Sequence, residues 1–189
     1  MWFLHELDAG WTLFLDRDGV INKRKPGGYI TYPEEFEFLP GVLEALYRFD
    51  ELFAYIIVVS NQQGVAKGLM SLEQSNRVNE YMKNSIENAH GRIDEIYVCT
   101  ELDGFDSWCR KPSPGMALQA KNDFPKIDFS KSIMVGDMES DIVFGKNLGM
   151  KTVFIKNNYS NTVGVRADLY VDGLLSFYQL IKSEKRFSI

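Results

Sequence analysis

The chain has 189 residues, 45% of them hydrophobic and 25% charged, which is the balance of a globular protein with one core. A formal net charge of −5 argues against nucleic acid as the partner, because binding a phosphate backbone needs a basic face. No apolar run could span a membrane, residues 1–6 lack the pattern of a signal peptide, and only Cys99 and Cys109 are present, so a reducing cytoplasm is the expected location.

Residues 1–10 read as a lead-in. The apolar run Thr12-Leu13-Phe14-Leu15 predicts a buried strand. It stops at Asp16 and Asp18, with Gly19 at the turn. In open parallel sheets, ligands bind at that end of the strands. Residues 23–40 contain Lys23-Arg24-Lys25, Pro26-Gly27-Gly28-Tyr29 and Pro33, and read as a loop. This loop either lies over the site, with Tyr29 or the basic triplet on a substrate, or is a solvated surface.

Residues 41–52 carry a helical stripe of Val42, Leu43, Leu46 and Phe49. Residues 54–59 form a second strand, ending at Ser60-Asn61 before a glycine-containing loop. Ser71 and Gln74 predict a capping box for the next helix. Residues 93–99 read as a third strand with Ile96 and Val98 inward. A polar loop, 100–113, holds Cys109-Arg110-Lys111-Pro112. Pro114 opens a short helix to Phe124. Residues 131–135 form a fourth strand ending at Gly136-Asp137. A helix over 142–148 follows, stopped by Gly149. Strands over 151–155 and 167–171 and a helix over 174–182 complete the pattern, with 183–189 as a flexible tail. Strands alternate with helices, so the expectation is α/β: a three-layer, Rossmann-like, mostly parallel sheet with helices on both faces, in a single domain spanning 1–189.

The polar residues that end these strands suit one chemistry. One Asp attacks a phosphorus atom and carries the phosphoryl group, while the other protonates the leaving oxygen and then activates water. Two close carboxylates need a cation, and Mg²⁺ prefers one or two carboxylates with phosphate oxygens and water. Ser60 offers a hydroxyl to a phosphate oxygen, and Lys111 a permanent positive charge. Arg110 presents a fork suited to a second phosphate or a carboxylate. Asp137 can complete a metal site with Asp16. Asp141, four residues on, can orient the loop or Lys111.

In order, Asp-x-Asp-Gly-Val, strand-Ser-Asn, Lys-Pro and Gly-Asp-x-x-x-Asp resemble the haloacid dehalogenase (HAD) superfamily of phosphohydrolases. The strings Phe14-Leu15-Asp16-Arg17-Asp18-Gly19-Val20-Ile21-Asn22, Ser60-Asn61-Gln62-Gln63-Gly64-Val65-Ala66-Lys67-Gly68 and Cys109-Arg110-Lys111-Pro112-Ser113-Pro114-Gly115-Met116 are similar to its heptose bisphosphate and histidinol-phosphate phosphatase subfamily. The resemblance implies Asp16 as nucleophile, Asp18 as acid and base, phosphate on Ser60 and Lys111, substrate on Asn61 and Arg110, and Mg²⁺ on Asp16, Asp18 and Asp137. It also implies no large cap domain.

Two departures stand out. Where relatives carry four zinc ligands, this chain reads Cys99-Thr100-Glu101 and Ser107-Trp108-Cys109. A structural zinc is therefore not expected, beyond a remnant on Cys99, Glu101 and Cys109, and packing by Trp108 or Phe105 must hold Arg110 and Lys111. Met138 stands where relatives often place a basic residue. The expected partner is a small phosphorylated metabolite, with the chain a monomer or weak oligomer. A heptose 1,7-bisphosphate is favoured by resemblance over histidinol phosphate or another sugar or polyol phosphate. A nucleic-acid 3′-phosphatase and a non-catalytic binding protein are the competing readings.

Overall fold

The computed structural model describes residues 2–104, 106–157, 164 and 166–186. The apolar run before the aspartates forms strand β1, Thr12–Leu15, buried at every position. It shows no polar alternation, which is the pattern of a strand covered on both faces. The others are β2 (Tyr55–Asn61), β3 (Glu95–Cys99), β4 (Ser132–Gly136), β5 (Lys151–Ile155) and β6 (Leu169–Val171). All pair in parallel in one six-stranded sheet of order β3-β2-β1-β4-β5-β6. The chain walks outward from β1 to β3, then returns to the far side of β1 as β4. That reversal opens a crevice at the carboxyl ends of β1 and β4, where such sheets bind ligands.

The helices are α1 (Val42–Phe49), α2 (Leu72–Asn88), α3 (Gly115–Asp123), α4 (Glu139–Asn147) and α5 (Leu174–Arg186). Leu13, Leu15, Val58 and Val135 face one core with Leu46 and Phe49 of α1, Met82 of α2 and Phe177 of α5. Phe14, Ile57, Val59 and Met134 face the other core, with Met116 and Ala120 of α3 and Phe144 of α4. Alternate residues of each central strand thus feed opposite layers. The Ser71–Gln74 capping box is present at the start of α2.

Two sequence expectations need correction. On β3 the buried residues are Tyr97 and Cys99, while Ile96 and Val98 are only half-buried. The strand sits at the sheet edge, so its apolar pattern does not identify the better-covered face. The tail expected from Ser183 is helical to Arg186: Ile181 is buried, Ser183 Oγ donates to the Leu180 carbonyl at 2.8 Å, and Glu184 pairs with His5. Residues 187–189 lie outside the described residues. Residues 23–40 form a tied loop with a 3₁₀ helix, Pro33–Glu35. Lys23 N donates to the Glu37 carbonyl at 2.8 Å and Leu39 N to that of Ile21 at 2.9 Å, which returns the loop to its base.

Candidate active site

Backbone pairing carries the first aspartate beyond β1: Asp16 N donates to the Val135 carbonyl at 2.9 Å. Asp137 follows β4, next to β1 in the sheet, so the loops after both strands meet. Their approach depends on small residues. A Cβ on Gly136 would lie 2.1 Å from Cβ of Asp141. Gly19 fills the same role against Asp137.

Lys111 lies on the loop before α3 and reaches back into the sheet end, fully buried. Its Nζ donates to Asp16 Oδ1, Asp141 Oδ1 and the Val59 carbonyl, each at 2.7 Å. Burial works against its charge, but Asp141 and Asp16 outweigh that and hold the ammonium above its usual range. Asp16 itself is pushed up to about 7, first by burial and then by the charges of Asp141 and Asp137, against the pull of Lys111. Its Oδ2 accepts no hydrogen bond among the described residues.

Asp137 is fully buried. Burial raises its carboxyl from the usual range, Arg24 lowers it, and Asp141 raises it further, with a net upward shift. Arg24 Nη2 donates to Asp137 Oδ1 at 2.8 Å and Oδ2 at 3.1 Å, and to the Asp18 carbonyl at 2.7 Å. Asn157 Nδ2 donates to Asp137 Oδ2 at 2.9 Å.

Asp18 has the opposite character. Arg17 Nη2 donates to both its oxygens, at 3.2 and 2.9 Å, Asn22 Nδ2 to Oδ1 at 2.9 Å, and Gln62 Nε2 to Oδ2 at 2.7 Å. Burial would raise this carboxyl, but Arg17, Asn22 and Gln62 outweigh it and hold it below the usual range. The same Gln62 nitrogen donates to Ser60 Oγ at 2.9 Å, so the buried Ser60 hydroxyl and Asp18 share one partner.

Asn61 lines the cavity, and both ends of its amide are bonded to the Lys111 main chain, at 3.1 and 3.0 Å. It fixes the lysine's backbone. Arg110 lies at the rim with Nε 3.3 Å from Asp103 Oδ1. Its Nη1 is buried without a partner among the described residues. The cavity, about 640 Å³, is lined by Asp16, Asp18 and Asp141 with Arg24, Lys25, Lys67, Arg110 and Lys111.

The loop before Arg110 departs from expectation. Trp108 is 58% exposed and does not bury itself to hold the loop. Phe105 lies outside the described residues. A Cys99–Cys109 disulfide does the fastening, with Arg110 N donating to Ser107 Oγ at 3.0 Å. Glu101 stands near both sulfurs, but in the disulfide neither offers a thiolate to a metal.

The donor set at the strand ends fits a hard divalent cation. Carboxylate oxygens of Asp16, Asp137 and Asp141 lie within 4.8 Å of one another, all buried. Asp141 is engaged by Lys111 and by Met138 N at 3.0 Å, which leaves Asp16, Asp137 and the Asp18 carbonyl as the candidate donors, the last two gathered on one point by Arg24. All-oxygen donors of this kind suit Mg²⁺.

Sequence reasoning missed Arg17, Gln62 and Asn157 as site residues, and did not single out Arg24 as a partner of Asp137. Arg24 sits in the basic triplet that the sequence left open as substrate contact or solvent. Nothing in the local pattern separates Arg17 from a solvated turn residue, yet it is wholly buried.

A parallel α/β sheet whose strand ends gather buried aspartates around a lysine, below a cationic cavity, defines a phosphate-handling hydrolase. A profile of HAD-hydrolase-like proteins matches residues 108–175, the stretch that carries Lys111, Asp137 and Asp141. The D-glycero-alpha-D-manno-heptose-1,7-bisphosphate 7-phosphatase of Mycobacterium tuberculosis is 38% identical over 138 residues, 73% of each chain. The D-glycero-beta-D-manno-heptose-1,7-bisphosphate 7-phosphatase of Helicobacter pylori is 36% identical over 146 residues, 77% of this chain and 83% of that one. The fold matches the D,D-heptose 1,7-bisphosphate phosphatase of B. bronchiseptica, solved with magnesium and phosphate, with a TM-score of 0.83 at 24% identity over 92% of this chain and 99% of that one. The chain belongs to the HAD superfamily of phosphatases, in the family of the heptose bisphosphate phosphatases.

Proposed function

We propose that this phosphatase is Mg²⁺-dependent and removes the 7-phosphate of a D-glycero-D-manno-heptose 1,7-bisphosphate. One observation carries the choice of a doubly phosphorylated substrate. Beyond Lys111, the cavity is lined by Lys67, which has no ion pair among the described residues, and by Arg24, Lys25 and Arg110, whose carboxylate partners a phosphate would displace; together these are more cations than one phosphate needs. The names of the relatives agree, although they divide between the alpha and beta anomers. A sugar bisphosphate is too charged to leave the cell that makes it, so the reaction belongs inside the cell, where the Cys99–Cys109 disulfide, which the cysteine count did not lead one to expect, is open to reduction.

Asp16 attacks the phosphorus through one carboxylate oxygen. The bond from phosphorus to the sugar oxygen breaks, and Asp18 gives that oxygen its proton. Asp18, now ionised, takes a proton from water as the water oxygen attacks the aspartyl phosphate. Inorganic phosphate leaves and Asp16 is restored. The contacts of Asp18 with Arg17, Asn22 and Gln62 hold it ionised, which suits the second step. For the first step it takes up a proton and turns from Arg17 to the leaving oxygen. Lys111 keeps Asp16 oriented and balances charge on the transferring group, and Ser60 hydrogen-bonds a phosphate oxygen. Asp16, Asp137 and the Asp18 carbonyl would hold Mg²⁺, which would supply charge neutralisation when bound.

Phosphate release from both heptose bisphosphate anomers, histidinol phosphate and a panel of sugar and polyol monophosphates, with Mg²⁺ and with EDTA, tests this. We expect turnover of one heptose anomer at least tenfold above all other compounds, lost with EDTA and in Asp16→Asn. Equal rates on the monophosphates would remove the bisphosphate assignment. Activity surviving Asp16→Asn would remove the nucleophile assignment.

A further inference from the structure

We infer that the Arg24 guanidinium is a built-in cation that holds the metal seat, yields it to the incoming divalent ion, and then turns to the substrate's phosphate. The inference rests on the Mg²⁺ reading above. Its basis is a single nitrogen. Arg24 Nη2 bonds at the same time to the Asp18 carbonyl, 2.7 Å away, and to both Asp137 oxygens, at 2.8 and 3.1 Å. A group within bonding distance of the two lies between them. An ion coordinating the same oxygens would need the same place, and two cations cannot share it.

The surroundings explain why a cation belongs there. Lys111 serves Asp16 and Asp141, and Arg17 serves Asp18, which leaves Asp137 to Arg24. Asp137 is fully buried, and a buried carboxylate without a partner is costly. Arg24 thus keeps the folded site charge-balanced before metal arrives.

The guanidinium is also built to leave. Its side chain is 30% exposed against none for Asp137, and it lines the cavity. Its Nε is buried without a partner among the described residues, so only Nη2 anchors it in the seat. Arg24 stands second in the tied loop 23–40, whose Lys25 also lines the cavity. A modest rotation about the side-chain bonds keeps the displaced guanidinium in the cavity. There it meets the phosphorylated end of the substrate, where its fork can bind two phosphate oxygens. Metal entry would in this way set a substrate contact.

The test compares Mg²⁺ binding by calorimetry, without substrate, in wild type, Arg24→Gln and Lys25→Gln. Removing the competitor should tighten Mg²⁺ binding about tenfold in Arg24→Gln. Lys25→Gln removes a like charge that lines the same cavity, paired there with Glu35, without emptying the seat, and should change the affinity no more than about twofold. With Mg²⁺ saturating, KM of Arg24→Gln should rise by more than kcat falls. A purely structural ion pair would give unchanged or weaker metal binding when broken, and that result overturns the inference. Equal tightening in both variants overturns it too, since general electrostatics would then suffice. Should Arg24→Gln fold poorly, the Nε–H resonance of Arg24 in ¹⁵N-arginine wild-type protein gives the same answer. It should shift on Mg²⁺ addition, and a resonance that does not move refutes displacement. Wild type that binds no Mg²⁺ at all would instead defeat the metal reading itself.

Discussion

A methyl group on Gly19 would lie 2.0 Å from Oδ2 of Asp137, and the residue sits at φ +96°, a conformation that side chains resist. Both constraints act where the turn after β1 must pass the carboxylate after β4. In Gly19→Ala the turn therefore relaxes or Asp137 is pushed aside. We expect kcat/KM to fall at least about a hundredfold, because positioning errors of an ångström cost that much. Backbone strain of about 1–3 kcal/mol should also lower the melting temperature by several degrees. Phosphate release and a thermal melt with and without Mg²⁺ check both, and a variant with wild-type values would show that this contact does not shape the site. At this scale legibility divides by mechanism. Asp16, Asp18 and Asp137 are readable because their chemistry is tied to strand ends, and Lys111 because its Lys-Pro pair stands before a helix. Arg17 and Gln62 are not, because their work depends on direction. Arg17 turns inward to Asn79 and Asp18, at 2.8 and 2.9 Å, and only the packed fold shows this.

Loops and strands read differently for a related reason. β1, β2 and β4 are buried on both faces, so their apolar runs are continuous and their ends fall where polar residues begin. The edge strand β3 and the loop after it lack that signal, and there sequence and structure part. The disulfide between Cys99 and Cys109 joins the end of β3 to the residue before Arg110, closing a loop of 10-residue separation. Closing a loop of this size stabilises by roughly 3 kcal/mol in the chain-entropy picture. The Cys99→Ser/Cys109→Ser double variant should melt roughly 5–10 °C lower. Its KM should rise more than its kcat falls, because Arg110 loosens while Lys111 keeps its bonds to Asn61, Asp16 and Asp141. Dithiothreitol on the wild type should reproduce the effect. An unchanged KM would mean that the Ser107 and Asn61 hydrogen bonds alone seat the two cations.

Across the whole molecule, a net charge of −5 coexists with a cavity lined by Arg24, Lys25, Lys67, Arg110 and Lys111. These cations are gathered in one concavity, not drawn out along a face. Such a surface repels a long polyanion yet focuses field on a small one, since an enclosed pocket concentrates potential that the outer surface opposes. The arrangement makes two kinetic statements that net charge alone would contradict. Added salt should lower kcat/KM for a sugar bisphosphate several-fold between about 20 and 300 mM, because screening weakens steering over a Debye length. Lys67→Ala should flatten that slope. A 3′-phosphorylated oligonucleotide should neither turn over nor compete at similar concentration, as backbone binding needs a stripe of phosphate contacts that one pocket cannot supply. Salt titrations of kcat/KM with and without the oligonucleotide separate these cases. Strong, salt-sensitive inhibition by the oligonucleotide would mean that the acidic exterior does not exclude nucleic acid from this site.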